Sequence, residues 1–257
     1  MDNERAAVRP TSARSVDKER TLRIDLAAAY RMVAHFGWDD LIFTHISVRL
    51  PGPEHHFLIN PYGMLFEEIT ASSLVKIDLH GQILEASQSI VNPAGFMIHS
   101  AVHEARRDAV CVMHLHTVDG TAVAGLSAGL LPLNQTAQLL IGDLAYHDYE
   151  GLALEPDERP RLQRSLGKCS AMILRNHGTL AVGGSVAEAF ARMYFLERAC
   201  SMQVRTLSQG NDLHATAASV IEKNRQHALA GFDAVAKHLV WPALIRKLDH
   251  MDPSYKT

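Results

Sequence analysis

The sequence is poor in cysteine and lacks the long apolar runs of a membrane protein. Its three cysteines, Cys111, Cys169 and Cys200, lie far apart, and there is no Cys-x-x-Cys pair. An odd number of widely spaced cysteines argues against a disulfide framework and suits a reducing compartment. No apolar segment approaches the ~20 residues that a membrane-spanning helix needs, and the N-terminus has no hydrophobic signal core. These absences predict a cytoplasmic protein with no membrane partner.

Clustered charge and common mechanistic motifs are missing too. The formal net charge is −3 and the basic residues are scattered, which argues against a nucleic-acid partner. We find no repeats, no low-complexity tract, no glycine-rich phosphate loop and no Ser-His-Asp context. What is present is a chain of 257 residues that is 47% hydrophobic, enough for one sizeable core. We predict a flexible arm at residues 1–19, a main domain at 20–210 and a helical extension at 211–257.

The most informative segment is residues 110–117, a short apolar stretch that contains two histidines. Side chains alternate between the two faces of a strand, so His114 and His116 share a face. Their Cα atoms should lie about 7 Å apart, which lets both imidazoles reach one ion. Two satisfied core histidines are the alternative, but a divalent cation satisfies both rings at neutral pH without protonating either. The segment therefore predicts a metal pair.

A third ligand is expected because catalytic metal sites usually have three protein ligands and an open position. His177 is the best candidate, since Asn176-His177-Gly178 reads as a turn between predicted strands at 171–174 and 179–182. His99 and His103 are four residues apart on a predicted helix at 96–106 and form a second possible chelating pair. We prefer His177 as the third ligand and place His99 beside the metal ligands.

Other candidate residues lie on a predicted strand at 41–50 and on two loops. His45 and Arg49 share a face of this strand, where they either hold an anionic substrate or form a solvated strand edge. The Pro61-Tyr62-Gly63 turn can contact a ligand. The polar aromatic segment that ends at Tyr149 is either functional or a local hydrogen-bonded turn.

Helical and strand periodicity place the remaining elements. Helices are predicted at 21–36, 159–166 and from 186 to about 210, and a strand at 139–149. An apolar stretch at 239–244 predicts a contact between subunits, because large apolar patches are rarely left in water.

In chain order, these segments resemble the class II aldolase/adducin family over residues 21–209. The motifs that carry the resemblance are Thr44-His45-Ile46-Ser47-Val48-Arg49, Asn60-Pro61-Tyr62-Gly63, Pro93 ahead of a helix, His114-Leu115-His116-Thr117 and Arg175-Asn176-His177-Gly178. The segments Ala145-Tyr146-His147-Asp148-Tyr149 and Gln203-Val204-Arg205-Thr206-Leu207 resemble the adducin branch.

The resemblance implies an α/β fold, a three-layer αβα sandwich around a mainly antiparallel sheet. It also implies one divalent metal per subunit on His114, His116 and His177, with zinc expected first and manganese, cobalt or iron as alternatives. The implied assembly is a homotetramer with sites between subunits.

The chain departs from the sugar-phosphate aldolases of this family at the expected catalytic segment. Their Pro-Ser-Ser-Glu is similar in position to Pro93-Ala94-Gly95-Phe96 here, so the serines that hold phosphate and the Glu that handles the proton are absent. General acid–base catalysis typically contributes roughly 10²–10⁴-fold, so another group must carry the proton. Phosphate contacts from Gly-Asn and Ser-Gly pairs become Thr44-His45 and Tyr62-Gly63. A phosphorylated sugar is therefore disfavoured.

We interpret the chain as a metal-dependent lyase of the aldolase or decarboxylase type, acting on a non-phosphorylated oxo, hydroxy or aromatic acid. Two alternatives stay open: a non-haem iron oxygenase acting on an aromatic keto acid, and a non-catalytic adducin-like scaffold. The scaffold is disfavoured by the presence of all three metal histidines. The candidate residues are His99, His45, Arg49 and Tyr62 for catalysis, with Gly63, Phe96 and Tyr149 for substrate binding.

Overall fold

A computed structural model describes residues 11–52, 55–152, 155–210, 212–227 and 231–257. The strands are β1 (His45–Arg49), β2 (Phe57–Ile59), β3 (Val75–Ile77), β4 (Cys111–Leu115), β5 (Leu144–His147), β6 (Ala171–Leu174) and β7 (Gly178–Gly183). The helices are α1 (Thr11–His35), α2 (Pro93–Ala105), α3 (Val118–Ala124), α4 (Gln135–Leu140), α5 (Arg159–Leu166), α6 (Val186–Leu207), α7 (Ala218–His227), α8 (Phe232–Val235) and α9 (Trp241–Met251), with a π-helical turn at Ala236–Val240.

The strands form one seven-stranded sheet in the order β3-β2-β1-β4-β7-β6-β5. Every neighbouring pair is antiparallel except β5 and β6. Helices α1 and α6 cover one face of the sheet, and α2 and α5 cover the other. The fold is therefore an α/β three-layer sandwich with a mainly antiparallel central sheet, which confirms the predicted class.

The central strand β4 explains why this segment is apolar on both sides. Met113 and Leu115 pack in the core with α1 and α6, whereas Val112 packs with α2 and α5. His114 follows Val112 by two residues, so alternation puts it on the α2 side. An imidazole on that side is buried between layers, at 1% exposure. It must therefore find polar partners within the protein.

The first helix begins earlier than the apolar periodicity predicted. It starts at Thr11 rather than near residue 21, so the predicted arm is wrong for residues 11–19, and residues 1–10 lie outside the described residues. Glu19 explains part of the extension, since its carboxylate pairs with Arg23 one turn later (3.0 Å) and with Lys76 on β3 (2.8 Å). Ion pairs thus continue the helix beyond its apolar stripe.

Within the stretch 239–244, for which a subunit contact is predicted, Trp241 packs into the core of its own chain. Trp241 is 7% exposed, its ring centroid lies 5.6 Å from that of Phe190, and its Nε1 donates a hydrogen bond to Asp25 (3.1 Å). Leu239 alone of this stretch is a strongly exposed large apolar residue, at 66%. Amphipathic α9 therefore covers the main domain.

The strand predicted at 139–149 is wrong over its first half. Asn134 caps α4 by accepting a hydrogen bond from the backbone N–H of Ala137, so Leu139 and Leu140 end a helix, and the strand begins at Leu144. Helix caps of this kind override an apolar run that is too short to show its period. In the described part of the chain, no helix is both long and apolar enough to span a membrane.

Candidate metal centre

His114 and His116 lie at the end of β4 with their Nε2 atoms 3.0 Å apart. Each ring is held through its other nitrogen. His114 Nδ1 donates to the carbonyl oxygen of Thr179 (3.0 Å), and His116 Nδ1 donates to the carboxylate of Asp40 (3.0 Å). Carbonyl and carboxylate oxygens only accept, so in the neutral form of each ring the hydrogen is on Nδ1. Both Nε2 atoms therefore present lone pairs to the same point.

This arrangement fits a cation. Two unprotonated nitrogens at this distance repel each other unless a positive charge lies between them. Two ligands about 2.1 Å from one ion, at angles of about 90–110°, are about 3.0–3.4 Å apart. His177 completes the set, because one nitrogen from each of the three histidines lies within 4.8 Å of the others. A carboxylate or carbonyl behind a ligating histidine is typical of metal sites in proteins.

The charge state of the histidines suits metal binding as well. Burial lowers the pKa of His114 well below its usual range and lowers the pKa of His177 to about 4. Both imidazoles are therefore neutral at physiological pH. The neutral form is the one that coordinates a divalent ion.

The tight turn before β7 positions His177. Asn176 adopts a left-handed conformation with φ of 55°, which Asn tolerates better than most residues, and its N–H donates to Ala124 O (3.2 Å). Gly178 follows where the backbones of β7 and β4 come close. A Cβ atom at Gly178 would lie 2.4 Å from the carbonyl oxygen of Leu115. Only glycine allows this approach.

Glu197 of α6 is hydrogen-bonded to residues next to the metal ligands. It was not among the residues predicted from the sequence. Its buried carboxylate accepts hydrogen bonds from the hydroxyls of Thr117 and Thr179, the first directly after His116 and the second opposite Leu115 on β7. The available signal was a carboxylate in the apolar stripe of α6, in register with Phe190 and Met193. Glu197 thus ties the ends of two metal-bearing segments to the helix layer.

Burial raises the pKa of Glu197 to about 6, from 4.5. The folded state therefore binds this proton more tightly than the unfolded state, so the contribution of Glu197 to stability is fully present below pH 4.5 and is lost as the pH rises through about 6. A shift of this size corresponds to about 2 kcal/mol. We expect Glu197→Gln to flatten the dependence of unfolding free energy on pH across this window, measured by urea denaturation. An equally steep profile in the variant would assign the dependence to another group.

The three histidines lie at an open cleft of about 470 Å³, within the range of small-molecule sites. Of the other predicted site residues, His45, Tyr62 and Tyr149 line this cleft. The ring centroid of Tyr149 lies 6.3 Å from that of His177. The full lining is Phe43, Thr44, His45, Tyr62, Asn92, Pro93, Ile98, His114, His116, Tyr149, Gly151, Leu152 and His177.

Four predicted residues, Arg49, Gly63, Phe96 and His99, do not line the cleft. Arg49 contacts His55 (3.0 Å) and the carbonyl of His103 and borders a separate cavity of about 460 Å³. Four residues along a strand span about 13 Å, so sharing a face with His45 does not bring Arg49 to the same site. Phe96 packs instead in an apolar cluster with Phe57, and Gly63 is outside the lining.

Two further residues of the site were not among the predicted site residues, although Thr44 belongs to the Thr44-His45 pair that replaces a phosphate contact of the family. Asp40, which orients His116, and Thr44, which is 2% exposed at the cleft, carry no periodic signal in the sequence. Thr44 has φ of 65°, rare for a β-branched residue and a sign of backbone strain. His99 was placed beside the metal ligands. The structure puts it behind His45, with 2.8 Å between His99 Nε2 and His45 Nδ1.

Comparison with known proteins identifies the family. The model of the class II aldolase and adducin N-terminal domain matches residues 24–204. The chain belongs to this family. The matched residues include the whole cleft and the three histidines, and they end before α7.

Individual relatives extend this finding in two directions. A provisionally named aldolase class 2 protein of Caulobacter vibrioides is 54% identical over 241 residues, covering 93% of both chains. Alpha-adducin of Mus musculus is 49% identical over 193 residues, covering 74% of this chain but 26% of the adducin. The structure of L-fuculose 1-phosphate aldolase from Glaciozyma antarctica PI12 has a TM-score of 0.81 at 27% identity, covering 97% of each chain. The family thus joins aldolases with adducins.

Proposed function

We propose that this class II aldolase family member is a divalent-metal-dependent lyase, of the aldolase or decarboxylase type, that acts on a non-phosphorylated oxo, hydroxy or aromatic acid. The observation that carries the proposal is the convergence of two Nε2 lone pairs, 3.0 Å apart, at a cleft of substrate size. Such a site is built at the cost of burying imidazoles. A purely structural role would not require it.

His114, His116 and His177 would hold the cation, with zinc expected first and manganese, cobalt or iron as alternatives. Asp40 and the Thr179 carbonyl keep two of these rings in the required tautomer. When bound, the ion supplies a Lewis acid that polarises a carbonyl or enolate oxygen of the substrate.

The composition of the cleft supports a substrate without phosphate. Among the described residues that line it, none is a lysine or an arginine, the side chains that usually pair with phosphate. Phe43, Tyr62 and Tyr149 add aromatic surface to the lining, which fits an apolar or aromatic substituent. A sugar phosphate would find no cationic side chain among these residues.

His45 is the candidate for moving the proton, in place of the family's glutamate. It lines the cleft, and its ring centroid lies 5.2 Å from that of His114. Phe96, at the position matched to the glutamate, turns away from the cleft. His99 contacts Nδ1 of His45 and does not line the cleft. It would therefore act through His45.

We also propose a homo-oligomer, a tetramer by resemblance, in which the mouth of the cleft is covered by another subunit. Phe43, Tyr149 and Leu152 line the cleft yet are 43%, 52% and 75% exposed. Apolar side chains grouped around a polar site favour burial against a partner.

The test begins with elemental analysis of untagged protein purified without added metal, with EPR spectra before and after exposure to air. Near-stoichiometric zinc, manganese or cobalt supports the lyase. A panel of non-phosphorylated oxo, hydroxy and aromatic acids and of sugar phosphates is then screened by NMR for carbon–carbon cleavage. We expect turnover of a non-phosphorylated acid that a chelator abolishes. Preferential cleavage of a sugar phosphate would contradict the substrate class.

The similarity to alpha-adducin, at 49% identity, favours a second candidate, a non-catalytic scaffold. Absence of metal even after reconstitution would support the scaffold. Iron that oxidises in air would instead support an oxygenase.

A further inference from the structure

A chain of hydrogen bonds runs from the cleft into the layer between the sheet and α2. His45 Nδ1 lies 2.8 Å from His99 Nε2, and His99 Nδ1 lies 2.5 Å from Ser47 Oγ. Ser47 Oγ lies 2.7 Å from His103 Nε2, and His103 Nδ1 lies 3.0 Å from the carbonyl oxygen of Ala109. All four side chains are at most 4% exposed. We refer to these groups as the His45–Ala109 chain.

The Ala109 carbonyl determines which atom donates and which accepts in each hydrogen bond of the His45–Ala109 chain. The Ala109 carbonyl can only accept, so His103 carries its hydrogen on Nδ1, and burial lowers the pKa of His103 to about 3, which keeps the ring neutral. His103 Nε2 then accepts from the Ser47 hydroxyl, which in turn accepts from His99 Nδ1–H. His99 Nε2 therefore accepts from His45 Nδ1–H. The last atom, His45 Nε2, is left with a lone pair.

The Nε2 edge of His45 fills space that a side chain of α2 would otherwise occupy. A Cβ atom at Gly95 would lie 2.3 Å from Cδ2 and 2.6 Å from Nε2 of His45. Glycine at this position therefore makes room for the imidazole at the cleft. A histidine of β1 thus takes the place of a side chain from the helix.

Thr44, the neighbour of His45, adds an unused hydroxyl. Thr44 is 2% exposed and lines the same cleft. Thr44 Oγ1 has no hydrogen-bond partner among the described residues. An unpaired buried hydroxyl is costly, and the strained φ of 65° at this residue is of a kind that clusters at ligand sites.

We propose that Thr44 and His45 form a subsite for a hydroxyl group of the substrate. His45 Nε2 accepts the hydrogen of that hydroxyl, and Thr44 Oγ1 donates to its oxygen. The dianion of a phosphate ester presents acceptors only, and the lone pair of His45 opposes it. Ser47, His99 and His103 are positioning residues that set the tautomer of His45. The subsite deepens the proposed function and rests on it for the identity of the substrate, whereas the direction of the chain does not depend on it.

The direction of the chain is tested by long-range ¹H–¹⁵N NMR of the full-length protein, labelled in histidine, at about pH 8, above the ordinary histidine pKa. We expect hydrogen on Nδ1 of His45, His99 and His103, and a loss of this preference at His45 in Ser47→Ala. Hydrogen on Nε2 of His45 in the parent chain would overturn the proposal. An unchanged tautomer in Ser47→Ala would remove the positioning role of Ser47.

The subsite is tested with lactate and propionate, which share a carboxylate and differ by one hydroxyl, and with methyl phosphate at about pH 8, where this ester is a dianion without a hydroxyl hydrogen. We expect lactate to bind about tenfold more tightly than propionate. This preference should disappear in Thr44→Val and persist in Thr44→Ser, with metal content and melting temperature measured for each. A lactate preference that survives in Thr44→Val would arise at the metal and overturn the subsite, as would tighter binding of methyl phosphate than lactate. The NMR result stands apart from lyase activity, so the two proposals can fail separately.

Discussion

His114→Ala is expected to abolish stoichiometric metal binding. The substitution removes one of the two converging Nε2 atoms. Only His116 and His177 remain as ligands, which is too few for a stable site. The loss of affinity should exceed the roughly 10–100-fold that removal of an outer hydrogen-bond partner costs, which is the effect we expect for Asp40→Ala. Metal per chain is measured by elemental analysis after dialysis, and affinity by competition with a chromogenic chelator.

Two further variants separate ligand loss from general damage. His116→Ala removes a ligand whose side chain is 27% exposed. It should therefore lower the free energy of unfolding by less than His114→Ala, which changes a fully buried residue. His80→Ala changes an exposed histidine in a hairpin turn and should leave metal content unaltered. Full metal content in both His114→Ala and His116→Ala would mean that the ligand set is wrong.

Gly178→Ala is expected to destabilise the fold and displace the metal ligands together. The new Cβ would lie 2.4 Å from Leu115 O and 3.1 Å from Cδ2 of His116. Leu115 pairs with Thr179 across the β4–β7 ladder, so the carbonyl cannot move away without loss of that pairing. Overpacking of this kind costs about 1–3 kcal/mol or more. Unfolding in urea and metal content report the two effects.

Gly125→Ala is the matched control. Gly125 has φ of −77° at the end of α3, and a Cβ there would meet its nearest neighbour at 3.5 Å, an ordinary contact. We expect Gly125→Ala to be more stable than the parent protein by about 0.4–1 kcal/mol, because alanine reduces the entropy of the unfolded chain. Equal stability of the two variants would show that the β4–β7 approach is looser than described.

The family assignment and the fold class could be predicted from the sequence because both rest on local patterns. The α/β sandwich was implied by the resemblance of short motifs to the family, and the matched family and the observed sheet confirm it. The beginning of α1 could not be predicted in the same way, because Glu19 is held by Lys76, 57 residues away. Ion pairs across such a separation leave no period in the sequence.

The candidate site shows the same division at single residues. His114 and His116 could be paired from the sequence, because a spacing of two residues on a strand fixes a shared face whatever the rest of the chain does. Arg49 was placed with His45 by the same rule and wrongly, since a shared face does not ensure proximity. Phe96 was predicted to bind substrate because it takes the position of the family's glutamate. Its ring instead packs in an apolar cluster away from the cleft.

The sequence by itself determined the residues able to bind a metal, because strand alternation and turn chemistry act between near neighbours. Its short motifs also implied the type of fold through their resemblance to the family. Only the tertiary structure decided which nitrogen of each histidine is free. Asp40 reaches His116 across 76 residues, Thr179 reaches His114 across 65, and His99 reaches His45 across 54. Hydrogen-bond partners set the tautomers, and these partners meet only when the sheet and its two helix layers have assembled.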